Sequence, residues 1–452
     1  MFGFFRRPVA GCLFALLTLG GLAATGESSA APVAPAHARR APAQDFPGSL
    51  ASGGWLRMRL ANTSDGRIRV TWKGPRTNRG LKKWVVLTST TRKMNRHVRA
   101  YRVRRGARSA IVYPANLVTP SSGDYTFVKL KHYWKKPRRH VGQSPTLWIK
   151  PTVPTPPTGV SSAVIGTFNV RAWKGEGRST VYTWGKRRAR VYRTINSSGA
   201  GVVALQETSG SPNQGYGDRV QWDVLRDGVN AAAPAGRTWR LVDRDRYRSW
   251  DGDRRDGRQG TRILYDASRY EVVGRDWGVS YAKGPTYNTP CWLPWVHLRQ
   301  LSTGKEFVLV AAHLQNGTDP QRGRHPLWVL RNAQTKRAIE LIRSLRDRFP
   351  GEQVIFAGDL NSTSYSVPDN GVHRLLVSAG FFDAFASAHI AKGNMPTTND
   401  FKFPVRPTPH RRDYILSYGS LRGSYWFRNL AYTGAASVAS DHYMQVASLP
   451  IG

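Results

Sequence analysis

The chain has 452 residues, two cysteines and a formal net charge of +40. That length leaves room for a leader and two or three domains, and two cysteines exclude a disulfide-stapled scaffold. So basic a protein suits a polyanionic partner, although charge by itself does not select among nucleic acid, anionic membrane and cell-wall polymer. The first element in chain order is a secretory leader over residues 1–30. Arg6 and Arg7 supply its positive start, residues 13–24 its apolar middle, and Ser28, Ser29 and Ala30 its small residues for cleavage. The uncharged run 8–26 could alternatively anchor the chain in a membrane; its glycines and the small residues that follow favour removal. Cys12 sits in a stretch resembling a lipid-attachment box, but it precedes the apolar run instead of following it, and Arg6-Arg7 has little of the flanking pattern of a twin-arginine signal. Export makes the mature protein secreted and extracellular. Only Cys291 then remains, so the fold must rest on core burial without an internal disulfide. Cys291 itself, in an aromatic-rich stretch, reads as a buried inert thiol.

Residues 31–50 are rich in Ala and Pro and are expected to be disordered. Residues 51–150 read as an all-β sandwich. Short alternating strands are expected at 55–60, 68–72, 84–88, 98–103 and 125–130, punctuated by Asp65-Gly66 and Ser122-Gly123. The run RVTWKGP, a following Trp/Tyr strand and then SGDYTFVKL resemble a fibronectin type III domain. Charge concentrates here: residues 45–150 hold 24 Lys and Arg against 3 acidic residues, a net +21. Such a surface reads either as a solubility or wall-binding device or as an electrostatic footprint for nucleic acid. Residues 151–162 (PTVPTPPTGVSS) form a semi-rigid Pro-rich linker.

A larger region over 163–452 follows. Continuous apolar runs predict strands buried on both faces at 164–169, 202–206, 263–265, 307–312, 354–357 and 413–416. Helical apolar spacing from Leu327, stopped by Pro350-Gly351, predicts a helix over 327–349. Residues 243–256 interleave Asp with Arg. Asp251, Asp253 and Asp256 are close enough to suggest calcium, but they lack a full calcium-loop pattern, and a solvated loop is expected.

Short motifs stand where these strands end. Asn169 closes TFN and, taken alone, is either a turn residue or a ligand-orienting amide. Glu207, after LQ and before Thr-Ser-Gly, is either a hard-cation ligand or a surface cap. His313 follows the strand at 307–312. Asp359 and Asn361 lie in GDLN, where period two would put both on one side and an Asx turn is the alternative. Asp413 opens DYIL, and Asp441-His442 completes SDH. Carboxylates for a divalent cation, histidines for protons and amides for phosphoryl oxygens suit metal-dependent hydrolysis of a phosphate ester.

In kind and order these motifs resemble the endonuclease/exonuclease/phosphatase superfamily over about residues 164–449. The resemblance implies a four-layer α/β/β/α sandwich with Mg2+ as cofactor, Mn2+ or Ca2+ being alternatives. It implies that Glu207 and Asp441 ligate the metal with help from Asn169, and that His313 donates to the scissile phosphate. It further implies that Asp359 orients the attacking water, Asn361 holds the phosphate, and His442 is the base oriented by Asp413. The segment Gly260-Thr261-Arg262-Ile263-Leu264 departs from the family's apolar pattern. Arg262 there is expected to be an edge-strand charge, the other reading being a phosphate contact. Together with the net charge, these expectations favour a secreted nuclease acting on DNA or RNA. The alternatives are a sphingomyelinase or phospholipase C-like enzyme, an inositol-phosphate phosphatase, and an inactive polyanion-binding protein. No motif implies a protein partner, and a monomer is expected.

Overall fold

In the lower-numbered region, strand alternation sorts apolar from basic side chains. A computed structural model describes residues 57–63, 67–73, 81–89, 93–94, 98–104, 106–112, 126–134, 142–144, 146–149, 156–173, 182–210, 214–242, 260–282, 291–317, 327–363, 371–387, 389–392, 395–405 and 410–452. The expected leader, the Ala/Pro-rich segment, residues 151–155 of the linker, the Asp/Arg loop and the Cys291 side chain lie outside that description. Among the described residues the first strands are β1 (Arg57–Asn62), β2 (Ile68–Lys73), β3 (Leu81–Ser89), β4 (Arg99–Val103), β5 (Ser109–Val112), β6 (Thr126–Trp134), β7 (Gly142–Gln143) and β8 (Leu147–Ile149). β1, β2 and β5 form one sheet; β4, β3, β6 and β7 form another, with β8 also paired to β6. Along β2, Ile68, Val70 and Trp72 are buried while Arg69 and Lys73 are exposed. Trp72 meets Trp84 at a ring separation of 5.7 Å in a core shared with Val86, Val112 and Leu130. Period two thus turns the apolar residues inward and leaves the basic ones at the surface.

The second region runs β9 (Ser161–Asn169), α1 (Trp184–Ser197), β10 (Val202–Gln206), α2 (Gln221–Ala231), β11 (Trp239–Leu241), β12 (Arg262–Asp266), β13 (Tyr270–Ala282), β14 (Cys291–Gln300), β15 (Glu306–His313), α3 (Leu327–Arg348), β16 (Gln353–Asp359), α4 (Gly371–Ser378), β17 (Phe382–Asp383), β18 (Ile390–Ala391), β19 (Asp413–Tyr418), β20 (Trp426–Asn429) and β21 (Gln445–Ile451). One sheet has the order β11-β12-β10-β9-β21-β20-β18, the other β13-β14-β15-β16-β19-β17. The parallel pairs β9–β10 and β15–β16 are each joined through a helix, α1 and α3, as a parallel connection requires. This is a mixed α/β, sheet-rich fold.

Continuous apolar runs serve two cores at once. In β10, Val202 and Ala204 face a cluster shared with the second sheet's Leu309, Ile355 and Ile415, while Val203 and Leu205 pack with residues of α1 and α2. In β15, Phe307, Leu309 and Ala311 join the shared cluster, and Val308, Val310 and Ala312 pack with residues of α3 and α4. Several strands escape a sequence pattern because they contain proline. Pro294 in β14 lies just outside the ladder to β15, which starts at Trp295; Pro450 in β21 pairs with Ser162 of β9 beyond the β20 ladder. In both strands the missing N–H falls where one neighbour makes no demand for it. β12 is an interior strand between β11 and β10, and Arg262 on it is buried with its guanidinium 3.8 Å over the Trp222 ring. The edge-strand expectation for Arg262 is therefore corrected: stacking lets the interior accept the charge. No helix among the described residues is long and apolar enough to cross a membrane.

Candidate active site

Register brings the motifs together. His313 ends β15, Asp359 ends β16 and Asp413 begins β19, and these three are direct neighbours across the sheet: His313 pairs with Asp359, and Asp359 with Asp413. In the other sheet Asn169 ends β9 opposite Gln206, the last residue of β10, so Glu207 stands just beyond it. Asp441 and His442 precede β21, and His442 bridges to Thr398. Gly358 is needed because an added Cβ would collide with the Ala312 carbonyl of the neighbouring strand. Its role is close strand approach beneath Asp359.

All eight expected site residues fall into one linked group. Asn169 Nδ2 donates to Glu207 Oε1 at 3.0 Å and to Asp359 Oδ2 at 3.1 Å. Asp359 Oδ2 also lies 3.6 Å from His313 Nε2 and 3.7 Å from His442 Nε2. His442 Nδ1 lies 3.0 Å from Asp413 Oδ2. Asn361 is left-handed (φ 48°), donates its backbone N–H to Asp359 Oδ1 at 2.9 Å, and donates Nδ2 to the Leu314 carbonyl at 2.9 Å. The Asx turn therefore prevails over strand period two, because β16 ends at Asp359. Glu207 is also left-handed (φ 56°) and accepts from the Ala172 N–H at 3.3 Å. Ser440 Oγ donates to the Asn169 carbonyl at 2.6 Å and lies 3.2 Å from Asp441 Oδ1.

The electrostatics divide this group. Burial pushes the Glu207 carboxyl up, but His313, the Asn169 hydrogen bond and Arg171 outweigh it and hold Glu207 below its ordinary range. Asp441 is raised by burial, with the nearby Glu207 carboxylate adding to the effect. Asp413 is raised by burial and, despite His442, by Asp359. For His442, burial favours the neutral ring, yet Asp413 and Asp359 prevail and push it up to about 10. A cation held nearby would oppose that rise by adding positive charge. Asp359, Asp413 and His442 present ligand atoms within 4.8 Å of one another. The Glu207–Asp441 side already faces a cationic stand-in, since Arg171 Nη1 lies 3.6 Å from Glu207 and 3.5 Å from Asp441. A hard, oxygen-rich pair holding a guanidinium fits a divalent cation.

Several contributors were invisible as motifs. Buried Arg187 on α1 donates to the carbonyls of Val170, Arg171 and Ala439, tying the strand end at Asn169 to the segment before Asp441. Thr397 Oγ1 accepts from the backbone N–H groups of Arg412 and Asp413. Asn399 donates from its backbone to the Asp441 carbonyl and from Nδ2 to that of Ser440. These are long-range contacts by residues of ordinary type, and only SDH offered a hint, through Ser440.

Residues 166–442 match the model of the Endonuclease/Exonuclease/phosphatase family. Similar solved structures include an endonuclease/exonuclease/phosphatase from Bacteroides vulgatus, 20% identical with a TM-score of 0.48, covering 65% of this chain and 100% of that one. A mannosyl-6-phosphatase from Bacteroides thetaiotaomicron is 18% identical, with a TM-score of 0.46 and coverage of 63% and 98%. The human Nocturnin catalytic domain with bound sulfate is 15% identical, with a TM-score of 0.44 and coverage of 64% and 95%. No curated protein matches the chain. By its family model, which spans more than half of its length, the chain belongs to the endonuclease/exonuclease/phosphatase family, hydrolases that act on phosphoester bonds and generally use divalent metals.

Proposed function

We propose that this protein is a secreted, divalent-metal-dependent phosphodiesterase that cleaves nucleic acid. The observation that carries the hydrolytic half is the convergence of Glu207 and Asp441 on one side of Asp359 with the His442–Asp413 pair on the other. Glu207 and Asp441 would hold Mg2+, with Mn2+ or Ca2+ as substitutes, and Asn169 keeps Glu207 in place through Nδ2. The cation supplies positive charge where phosphate oxygens approach two carboxylates. Asp413 takes the Nδ1 side of His442, which leaves Nε2, 3.7 Å from Asp359 Oδ2, to accept a proton from a water that both can reach. His313 serves as a donor to developing phosphoryl charge, and Asn361 as a phosphate-orienting amide. The four-layer α/β/β/α arrangement is supported by the way each central strand divides its apolar residues between two cores.

The nucleic-acid half rests on the net +21 of residues 45–150. We read residues 51–150 as a fibronectin type III-like domain, supported by its two sheets around Trp72 and Trp84. It follows a leader (1–30) and an Ala/Pro-rich segment (31–50), and the 151–162 linker joins it to a catalytic domain over 163–452. One panel tests the proposal: plasmid DNA, single-stranded RNA, sphingomyelin and inositol phosphates, each with Mg2+, Ca2+ or chelator. Turnover of DNA or RNA with a divalent cation is the expected result. Turnover confined to the lipid or the small phosphates would overturn the nucleic-acid assignment and keep the hydrolase.

A further inference from the structure

Arg171 stands two residues beyond Asn169 in a left-handed conformation (φ 62°) that a non-glycine residue rarely adopts. Its backbone is clamped on both sides. The Arg171 N–H donates to Asn169 Oδ1 at 3.0 Å, and its carbonyl accepts from Arg187 Nη2 at 2.7 Å and Gln221 Nε2 at 3.0 Å. Backbone strain of this kind persists only where the surroundings over-determine it. The result is a guanidinium between two carboxylates, with Nη1 3.6 Å from Glu207 Oε2 and 3.5 Å from Asp441 Oδ2. Both distances exceed the 2.7–3.2 Å of an N–H···O hydrogen bond. The side chain is 37% exposed, against 15% for each partner. The pairing is therefore one of charge, on a flexible stem with a path to solvent.

We propose that Arg171 is a displaceable counter-cation that neutralises Glu207 and Asp441 in the metal-free protein and competes with the divalent cation for them, so that it sets the metal concentration at which the site loads. The inference rests on the proposed metal role of Glu207 and Asp441. The rival role, a brace that holds the carboxylates ready for the metal, is disfavoured because both are fixed without Arg171. Asn169 Nδ2 and the Ala172 N–H hold Glu207, and the Asn399 N–H holds the backbone of Asp441 through its carbonyl. Removing the guanidinium takes away charge while leaving those supports in place.

Mn2+ titration calorimetry on the full chain tests this with wild type, Arg171→Met, Arg171→Lys and Glu207→Gln, folding being checked by circular dichroism. Loss of two partly exposed ion pairs at one site is expected to change cation affinity by roughly tenfold. Arg171→Met is expected to bind Mn2+ roughly tenfold more tightly than wild type and to melt lower in chelator, a deficit that Mn2+ closes. Arg171→Lys is expected to restore wild-type affinity, which a purely structural role would not predict. Arg171→Gln serves the same test if the Met variant does not fold. Unchanged or weaker Mn2+ binding in a folded Arg171→Met or Arg171→Gln overturns the proposal. The metal reading is judged separately: it fails if Glu207→Gln binds Mn2+ as wild type does.

Discussion

His442 lies between two carboxylates, and the balance there fixes when it can accept a proton. With Asp413 at 3.0 Å and Asp359 at 3.7 Å it is pushed up to about 10 in the metal-free protein. Its folded value thus exceeds the ordinary 6.5, so its contribution to stability is complete below pH 6.5 and lost as pH rises through about 10. Because a base must first lose its proton, turnover is expected to climb with pH, and bound cation should move the climb to lower pH. His442→Ala is expected to cut turnover by about 10²–10⁴-fold, the usual scale of general acid–base catalysis, in a protein that still folds but melts lower at neutral pH. Asp413→Asn should reduce turnover and shift the acid limb downward, since one of the two raising charges is gone. Near-normal turnover in both variants would exclude this proton path. The motifs made these residues legible because strand ends can be read from apolar runs. Arg171 and Arg187 were not legible, since their roles come from contacts that depend on the folded backbone.

At the scale of elements, an ion network missed by the sequence reading holds part of the second sheet. Asp383 of β17 takes both Nη atoms of Arg411 at 3.0 Å, and His373 of α4 reaches it at 3.1 Å. Burial pushes Asp383 up, yet Arg411 and His373 outweigh it and hold the carboxyl far below its ordinary range. Its stabilisation is therefore complete above about pH 4 and lost as pH falls further. His373 is lowered by burial, so it adds to the acid-side loss below pH 6.5. Asp383→Asn leaves Arg411 buried without its charge partner and is expected to cost about 3–5 kcal/mol. Denaturant melts at neutral and mildly acidic pH check this; a loss under about 1 kcal/mol would show that the network is dispensable. Arg411 stands two residues before Asp413, but a partner 28 residues away cannot be read from one sequence. β10 was read with the bounds observed, and α3 to within a residue, because both are strongly periodic or continuously apolar. β13, β14 and β21 were missed where glycine or proline interrupts the pattern.

Over the whole molecule, the described strands of residues 45–150 turn apolar side chains inward and leave basic ones exposed, as Arg69 and Lys73 of β2 show. A chain starting at Val160 should keep cleavage of a small phosphodiester. It should bind long nucleic acid more weakly, with an affinity that falls less steeply with salt, because fewer phosphates are neutralised. Equal salt slopes for both chains on DNA, RNA and anionic vesicles would mark the charge as a solubility or wall-attachment feature. The most direct test of the central claim is nicking of supercoiled plasmid by the metal-stripped full chain, in Mg2+ and in excess chelator, beside Glu207→Gln. Nicking that requires Mg2+ and falls by about 10²-fold or more in the variant is the expected result. Undiminished hydrolysis in chelator, or full activity of Glu207→Gln, would contradict it.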